Sequence, residues 1–324
     1  MIGRRGLVLL GSAAAVTLAT ALLLAPDDTP LAPASSPAFP GLADALSRLN
    51  RIELRRHDAA LSLLRDGDDW DIAEHFGHPA EPSRVAALVT ALTEVRLLEP
   101  RLAEARTGTD DPLRAPATGT LLRLLDAGGG ALAELIVGTR RSRPGEETAL
   151  VRRPSEPGAW LAESRLVLDA DPQLWLAREV ADLPAQRLRR VEVRRAGEPA
   201  LVLERPGEVD APLVIVEPRD PLRPDGVALD AVGKLFEGLG LRDVRPAADE
   251  HGEALGETRF LFTDGLAITA RTRRDEDVLW TTLRAEGDAE AAALNRRWAR
   301  WRYALDTSGE PQLLPRLQDL LERR

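Results

Sequence analysis

The side chains able to do chemistry are few and scattered. His75-Phe76-Gly77-His78 places two histidines three apart, a spacing that on a helix would aim both rings at one metal ion. Gly77 and Pro79 disfavour a helix there, and no glutamate follows His75 as it does in metalloprotease helices. The segment therefore reads as a solvated loop, and no metal is assigned to it. Asp66-Gly67-Asp68-Asp69-Trp70-Asp71 resembles a calcium loop in composition, but its glycine is misplaced and a closing glutamate is missing. It reads as a polar turn before a strand. Arg187, Arg189, Arg190, Arg194 and Arg195 cluster around a strand and are expected on a solvated face with local acids. The competing reading is a docking patch for anionic lipid or a partner. Trp298-Ala299-Arg300-Trp301-Arg302-Tyr303 gathers two of the six tryptophans and the one tyrosine. Trp298 and Trp301, three apart, would share a helical face. Core packing is the default for such a stretch. If exposed, Trp298, Trp301, Arg302 and Tyr303 are the candidate partner-binding residues.

The missing motifs weigh as much. The chain has no G-x-x-x-x-G-K-[ST] phosphate loop, no G-x-S-x-G elbow and no strand–G-x-G-x-x-G–helix fingerprint. Zero cysteines exclude disulfides, thiolate metal sites and cysteine nucleophiles. No pair of acids stands out as a general acid and base. The expectation is a non-enzyme with no catalytic residues and no cofactor. Forty-three basic against 52 acidic residues give a net charge of −9, opposite in sign to a nucleic-acid binder, whose affinity comes from neutralising phosphates.

The elements that must position these residues are announced by a repeat. Arg51-Ile52-Glu53-Leu54-Arg55-Arg56 returns 139 residues later as Arg190-Val191-Glu192-Val193-Arg194-Arg195. Ala60-Leu61-Ser62-Leu63-Leu64-Arg65 returns as Ala200-Leu201-Val202-Leu203-Glu204-Arg205, and Pro172-Gln173-Leu174 as Pro311-Gln312-Leu313. So long a period is not that of a solenoid. Each copy opens with an alternating strand, a polar turn and a returning strand, then a third apolar segment, Trp70-Asp71-Ile72 or Leu213-Val214-Ile215-Val216. A helix follows, capped by Ser83 in one copy and by Asp225 in the other. Gly128-Gly129-Gly130 and Asp264-Gly265 mark hairpin turns between further strands. Leu174–Leu183, Ala289–Trp301 and Leu313–Leu321 read as helices. The predicted fold class is α+β: a tandem duplicated domain of antiparallel strands with helices on one face, behind an N-terminal transmembrane helix.

Residues 1–25 begin with Arg4 and Arg5 and continue as an uncharged run, Gly6 to Ala25, rich in Leu, Val and Ala. Twenty such residues at ~1.5 Å each span ~30 Å, the thickness of a bilayer core. The positive-inside rule keeps the arginines in the cytoplasm and sends the rest of the chain outside it. A cleaved signal peptide is the rival reading, with Ala19-Thr20-Ala21 as a small-x-small site. Residues 26–46 are Pro/Ala-rich and read as a tether, 47–184 as the first repeat and 185–324 as the second.

An N-terminal anchor, an Ile-Glu-Leu opening strand, Trp70-Asp71-Ile72, Trp160-Leu161, Trp175-Leu176, Trp301-Arg302-Tyr303-Ala304-Leu305 and the Leu-rich tail Leu313–Leu321 together resemble the bacterial domain of unknown function 4340 family. That family brings no catalytic residues to carry over. The resemblance implies an association, since members are often encoded beside ABC-type transporter components similar to gliding-motility auxiliary proteins. The expectation is a single-pass protein of the bacterial inner membrane, its bulk facing the periplasm or exterior. It would serve as a non-enzymatic accessory subunit beside ABC-type permease and ATPase subunits. The alternative is an envelope glycan- or lipid-binding module using the cleft between the two repeats.

Overall fold

A computed structural model describes residues 35–101, 113, 118–143, 146–207, 211–219, 223–249 and 251–322. The expected transmembrane helix and most of the tether lie outside the described residues. Among those described, two antiparallel sheets account for most of the chain. The first holds β1 (Ser36–Pro37), β2 (Leu49–Arg56), β3 (Ala59–Asp66), β4 (Asp69–Ile72), β5 (His78–Pro79), β6 (Arg96–Pro100), β7 (Thr120–Asp126), β8 (Ala131–Arg143), β9 (Glu146–Arg152) and β10 (Trp160–Glu163). The second holds β11 (Glu179–Ala181), β12 (Leu188–Arg195), β13 (Leu201–Glu204), β14 (Val214–Glu217), β15 (Leu239–Pro246), β16 (Glu253–Phe262), β17 (Ala267–Asp275), β18 (Val278–Glu286) and β19 (Trp301–Leu305).

The first sheet runs β1-β6-β10-β9-β8-β7-β2-β3-β4-β5 and the second β11-β15-β19-β18-β17-β16-β12-β13-β14. Position by position these are one order, with β5 as an extra edge strand on the first. Helix α1 (Pro82–Thr93) precedes β6, and α2 (Gly226–Gly233) precedes its counterpart β15. A third helix, α3 (Ala289–Trp298), links β18 to β19, where the first half has only irregular chain.

The likeness extends to defects in the ladder. β2 shifts register against β7 between Leu49 and Arg51, and β12 shifts against β16 between Leu188 and Arg190, 139 positions on in each case. A bulge of this kind bends the strand and adds twist, so both sheets curve at the same place. Arg65 Nη1 donates to the Leu49 carbonyl (3.2 Å), and Arg205 Nε donates to the Leu188 carbonyl (3.0 Å), securing the bulged residue in both.

Alternation decides which face is buried. Leu124, Ile52, Leu63 and Ile72 lie side by side across β7, β2, β3 and β4 with no exposed surface. Phe260, Val191, Leu203 and Ile215 form the matching row across β16, β12, β13 and β14. Each side chain fully buried this way contributes about 1.5–3 kcal/mol. The two rows belong to one continuous hydrophobic core that runs through both halves.

Four expectations are corrected. Helices are few, so the fold is a two-sheet, β-rich one rather than sheets carrying a full helical face. Leu174–Leu183 and Leu313–Leu321 are not continuous helices: only single turns form, Pro172–Trp175 in the first and Glu310–Leu313 and Leu317–Leu320 in the second. Their leucines are buried for another reason. Trp175 and Leu320 offer their carbonyls to the backbone N–H of Glu81 (2.7 Å) and Asp225 (2.8 Å), the residues preceding α1 and α2. The neighbouring bridges Ala80–Leu176 and Pro224–Leu321 complete the same strap in both halves. The cap of α1 is Glu81 and not Ser83, whose hydroxyl donates to the Glu81 carboxylate instead (2.9 Å), while Asp225 does cap α2 through Val227 and Ala228. Finally, Ser36–Pro37, expected in the tether, pairs with β6, and Glu179–Ala181, expected in the first repeat, pairs with β15 of the second sheet.

Candidate functional site

Where the two halves meet, a cleft of about 500 Å³ opens. The first half supplies the β3–β4 turn, β5 and the start of α1. The second supplies β15, the end of α3 and the start of β19. The β3–β4 turn needs Gly67, whose φ of +62° a residue with a side chain adopts only at a cost. This tight reversal holds Asp66 opposite Asp69 in register and leaves Asp71 two positions on, so all three carboxylates line the cleft. On the other side, α3 ends at Trp298 and the chain turns into β19 at Trp301, leaving Arg296, Arg297 and Arg300 at the cleft.

The floor is aromatic. The His78 ring meets Trp301 edge-on, with centroids 5.1 Å apart at 66°, and Tyr303 at 6.5 Å and 84°. Only 5% of His78 is exposed. Burial pushes its imidazole down to about 4, with the charges of His75 and Arg297 acting the same way against the Pro79 hydrogen bond. The ring is therefore neutral at pH 7, and Nδ1–H donates to the Pro79 carbonyl at 3.1 Å. Nε2 is then an acceptor, and it has no hydrogen-bond partner among the described residues. Burial likewise pushes the Tyr303 phenol upward, so it stays protonated and donates weakly to the Arg297 carbonyl at 3.4 Å.

Apart from Arg297 and Glu179, the charges facing one another across the cleft are not paired. Among the described residues Asp66, Asp69 and Asp71 make no ion pair, and neither do Arg296 and Arg300. Arg300 lies over the Trp301 ring, 5.2 Å from its centroid. Arg297 reaches Glu179 at 3.3 Å. The Asp71 carboxyl is pushed up by burial and then by Asp66, against the pull of Arg300. Beside the cleft the halves are tied together: Gln173 Nε2 donates to Asp243 at 3.1 Å, and His75 Nδ1 lies 3.8 Å from the same carboxylate.

The four residues singled out for partner binding are all buried. Trp298 ends α3 and donates its indole N–H to the Val180 carbonyl at 3.0 Å. The shared helical face of Trp298 and Trp301 does not exist, because the helix stops between them and Trp301 begins a strand. Trp301 and Tyr303 alternate onto the cleft floor. Arg302 points the other way, pairing with Asp249 at 2.9 Å and stacking over Trp280 at 5.0 Å. Of the basic cluster, Arg187 pairs with Asp264 and Glu290, Arg190 with Glu192 and Glu204, and Arg195 with Glu198 and Glu310. These are the local acids expected of it, although the Arg195 side chain is itself buried.

The acidic run is the turn it was read as, but the histidine segment is not a solvated loop: His75 ends a short 3-10 turn, and His78 is a buried residue of β5. Sequence reasoning missed that the acidic run and His78 converge on one cavity with the arginines around Trp301. No local signal joins segments so far apart in the chain. Among the described residues, no group of three or more His, Asp or Glu is arranged to hold a metal ion. The cleft lining contains no Ser, Thr, Cys or Lys. What the arrangement offers is fixed charge of both signs around a neutral acceptor.

The family model described as Domain of unknown function (DUF4340) matches residues 70–255, more than half of the chain, and the chain belongs to that family. No curated protein and no solved structure matches.

Proposed function

We propose that this member of the DUF4340 family is a non-enzymatic binding subunit held at the bacterial inner membrane, its bulk outside the cytoplasm. It would serve an ABC-type transport or cell-surface complex, with the cleft between its sheets as the working site. The cleft carries the proposal: unpaired acids and arginines around one cavity are arranged to hold something, and the lining brings no Ser, Thr, Cys or Lys to act on it, its one hydroxyl being the buried, protonated phenol of Tyr303. The uncharged run Gly6 to Ala25 behind Arg4 and Arg5 supports the anchor and its orientation. Mild crosslinking and affinity purification from native membranes, read by mass spectrometry, tests the role. Stoichiometric recovery of permease and ATPase subunits is the expected result. Recovery of this chain alone, under conditions that preserve such complexes, overturns it.

A second reading keeps the cleft and drops the transporter: an envelope glycan- or lipid-binding module. It is favoured by a cavity volume within the range of small-ligand sites. Retention of the chain by an immobilised envelope glycan or by lipid vesicles, with no transporter subunit recovered, would select it.

A further inference from the structure

We infer that the cleft binds a small zwitterion carrying a free ammonium and a free carboxylate, of the size of an amino acid or dipeptide. This rests on the reading that the cleft is the working site, and it names what that site takes.

Charge placement argues for both signs in one ligand. Asp66, Asp69 and Asp71 come from a single hairpin and make no ion pair among the described residues, the charge of Arg300 only partly offsetting that of Asp71. Burial of Asp71, and the charges of Asp66 and Asp69 beside it, outweigh the pull of Arg300 and make its ionised form costly. A ligand ammonium would relieve that cost on arrival. Arg296 and Arg300 come from the other half of the molecule, equally without an ion partner, and a guanidinium presents a planar fork that matches a carboxylate. The arginines do not swing across to the aspartates. Arg300 is occupied by the face of Trp301, and Arg297 by Glu179. A ligand with a carboxylate alone would meet three uncompensated acids, and one with an ammonium alone would meet the arginines. A molecule bearing both satisfies both groups at once.

His78 supplies a second and independent sign of a ligand. It is a nine-tenths buried polar side chain lining the cavity, with an acceptor nitrogen that no residue satisfies. A ligand N–H would fill that place. The aromatic rings beneath are held edge-on and almost covered, so they offer no open face for a sugar to stack on. The cavity of about 500 Å³ accommodates two residues of peptide with a few waters and excludes a folded partner.

The test uses the full-length chain in lipid nanodiscs and titration calorimetry at pH 7. The probes are the dipeptide Ala-Ala, its N-acetylated form with no ammonium, and its C-terminal amide with no carboxylate. Ala-Ala is expected to bind at least tenfold more tightly than either blocked form. Asp71→Asn should erase the preference over the N-acetylated form, and Arg300→Gln the preference over the amide. Both positions lie at the cleft and off the core, so the variants are expected to fold, which circular dichroism checks. Equal binding of Ala-Ala and a blocked form overturns the zwitterion. If no probe binds, but Asp71→Asn or Arg300→Gln lowers recovery of partner subunits from membranes, the ligand class falls and the cleft stands as the working site. If no probe binds and recovery is unchanged in both variants, the reading of the cleft falls with it.

Discussion

At the scale of single residues, His78 turns burial into a dependence on pH. Its imidazole ordinarily takes a proton near 6.5, and in the folded protein only near 4. Between these values the unfolded chain binds a proton that the folded chain does not, so stability falls as pH drops through that window. The interval corresponds to about 3 kcal/mol at most. His78→Phe keeps a ring against Trp301 and removes the titration. Thermal melts of this variant are expected to be flatter than wild type from pH 6.5 to 4. Glu310 contributes lower down: against the burial that pushes it up, hydrogen bonding to Arg195 and the charges of Arg195, Arg274 and Arg316 hold its carboxyl below the usual range. Its contribution is present above about pH 4.5 and is lost as pH falls through its folded value, so acid loss should persist in His78→Phe below pH 4. Trp298 is the other residue with a single decisive role, since it is wholly buried and its indole satisfies the Val180 carbonyl. Trp298→Ala is expected to cost about 3–5 kcal/mol in urea unfolding. Asp225 was legible as a cap because capping is settled within three residues of chain. The partnership of His78 with Trp301 was not, because nothing in either segment names the other.

Among the elements, the strands were the legible part. Alternation in Ile52/Leu54 and Val191/Val193 places these residues inside, and the Asp264-Gly265 turn does join β16 to β17. Helices were overread wherever leucines recur at three- and four-residue spacing for a different purpose. In the straps Trp175–Leu176 and Leu320–Leu321 the apolar side chains fill the core while the backbone pins the start of a helix. Periodicity cannot separate a helix from an extended segment this short. The two pinned helices differ in one respect that can be measured. Asp225 accepts from Val227 and Ala228, whereas Glu81 makes no side-chain cap. Asp225→Ala should therefore lose about 1 kcal/mol in chemical denaturation, and Glu81→Ala less than about 0.5 kcal/mol.

For the whole molecule, the repeat in the sequence foretold the repeat in strand order but not the way the halves combine. The boundary drawn between them cut off β11, because a three-residue strand that pairs with β15 carries no signal of which sheet it will join. The shared core and the ties at Asp243 make the halves one cooperative unit rather than two beads. Urea unfolding followed by tryptophan fluorescence and by far-ultraviolet circular dichroism is expected to give a single, superimposable transition. Two separated transitions would mean that each sheet is stable alone. The cleft was foreseen only as a place, between two similar halves; its chemistry emerges when acids from one half and arginines from the other are brought together.

The edge strand β1 has a mechanical consequence. Ser36 and Pro37 are its whole length, facing Leu97 and Arg96. Around them, Arg96 donates to the carbonyl (2.8 Å) and the hydroxyl (2.9 Å) of Ser35, Ala38 donates to the Val95 carbonyl (2.8 Å), and Arg153 holds the Ala38 carbonyl. Tension entering from the N-terminal side is delivered to this handful of bonds before it reaches Leu42, the next residue buried in the core. Under a rising pull the chain would peel at its point of attachment, lengthening by a few residues, while both sheets and the cleft between them keep their shape. The join to the preceding segment would thus act as a yielding link that shields the cleft from strain.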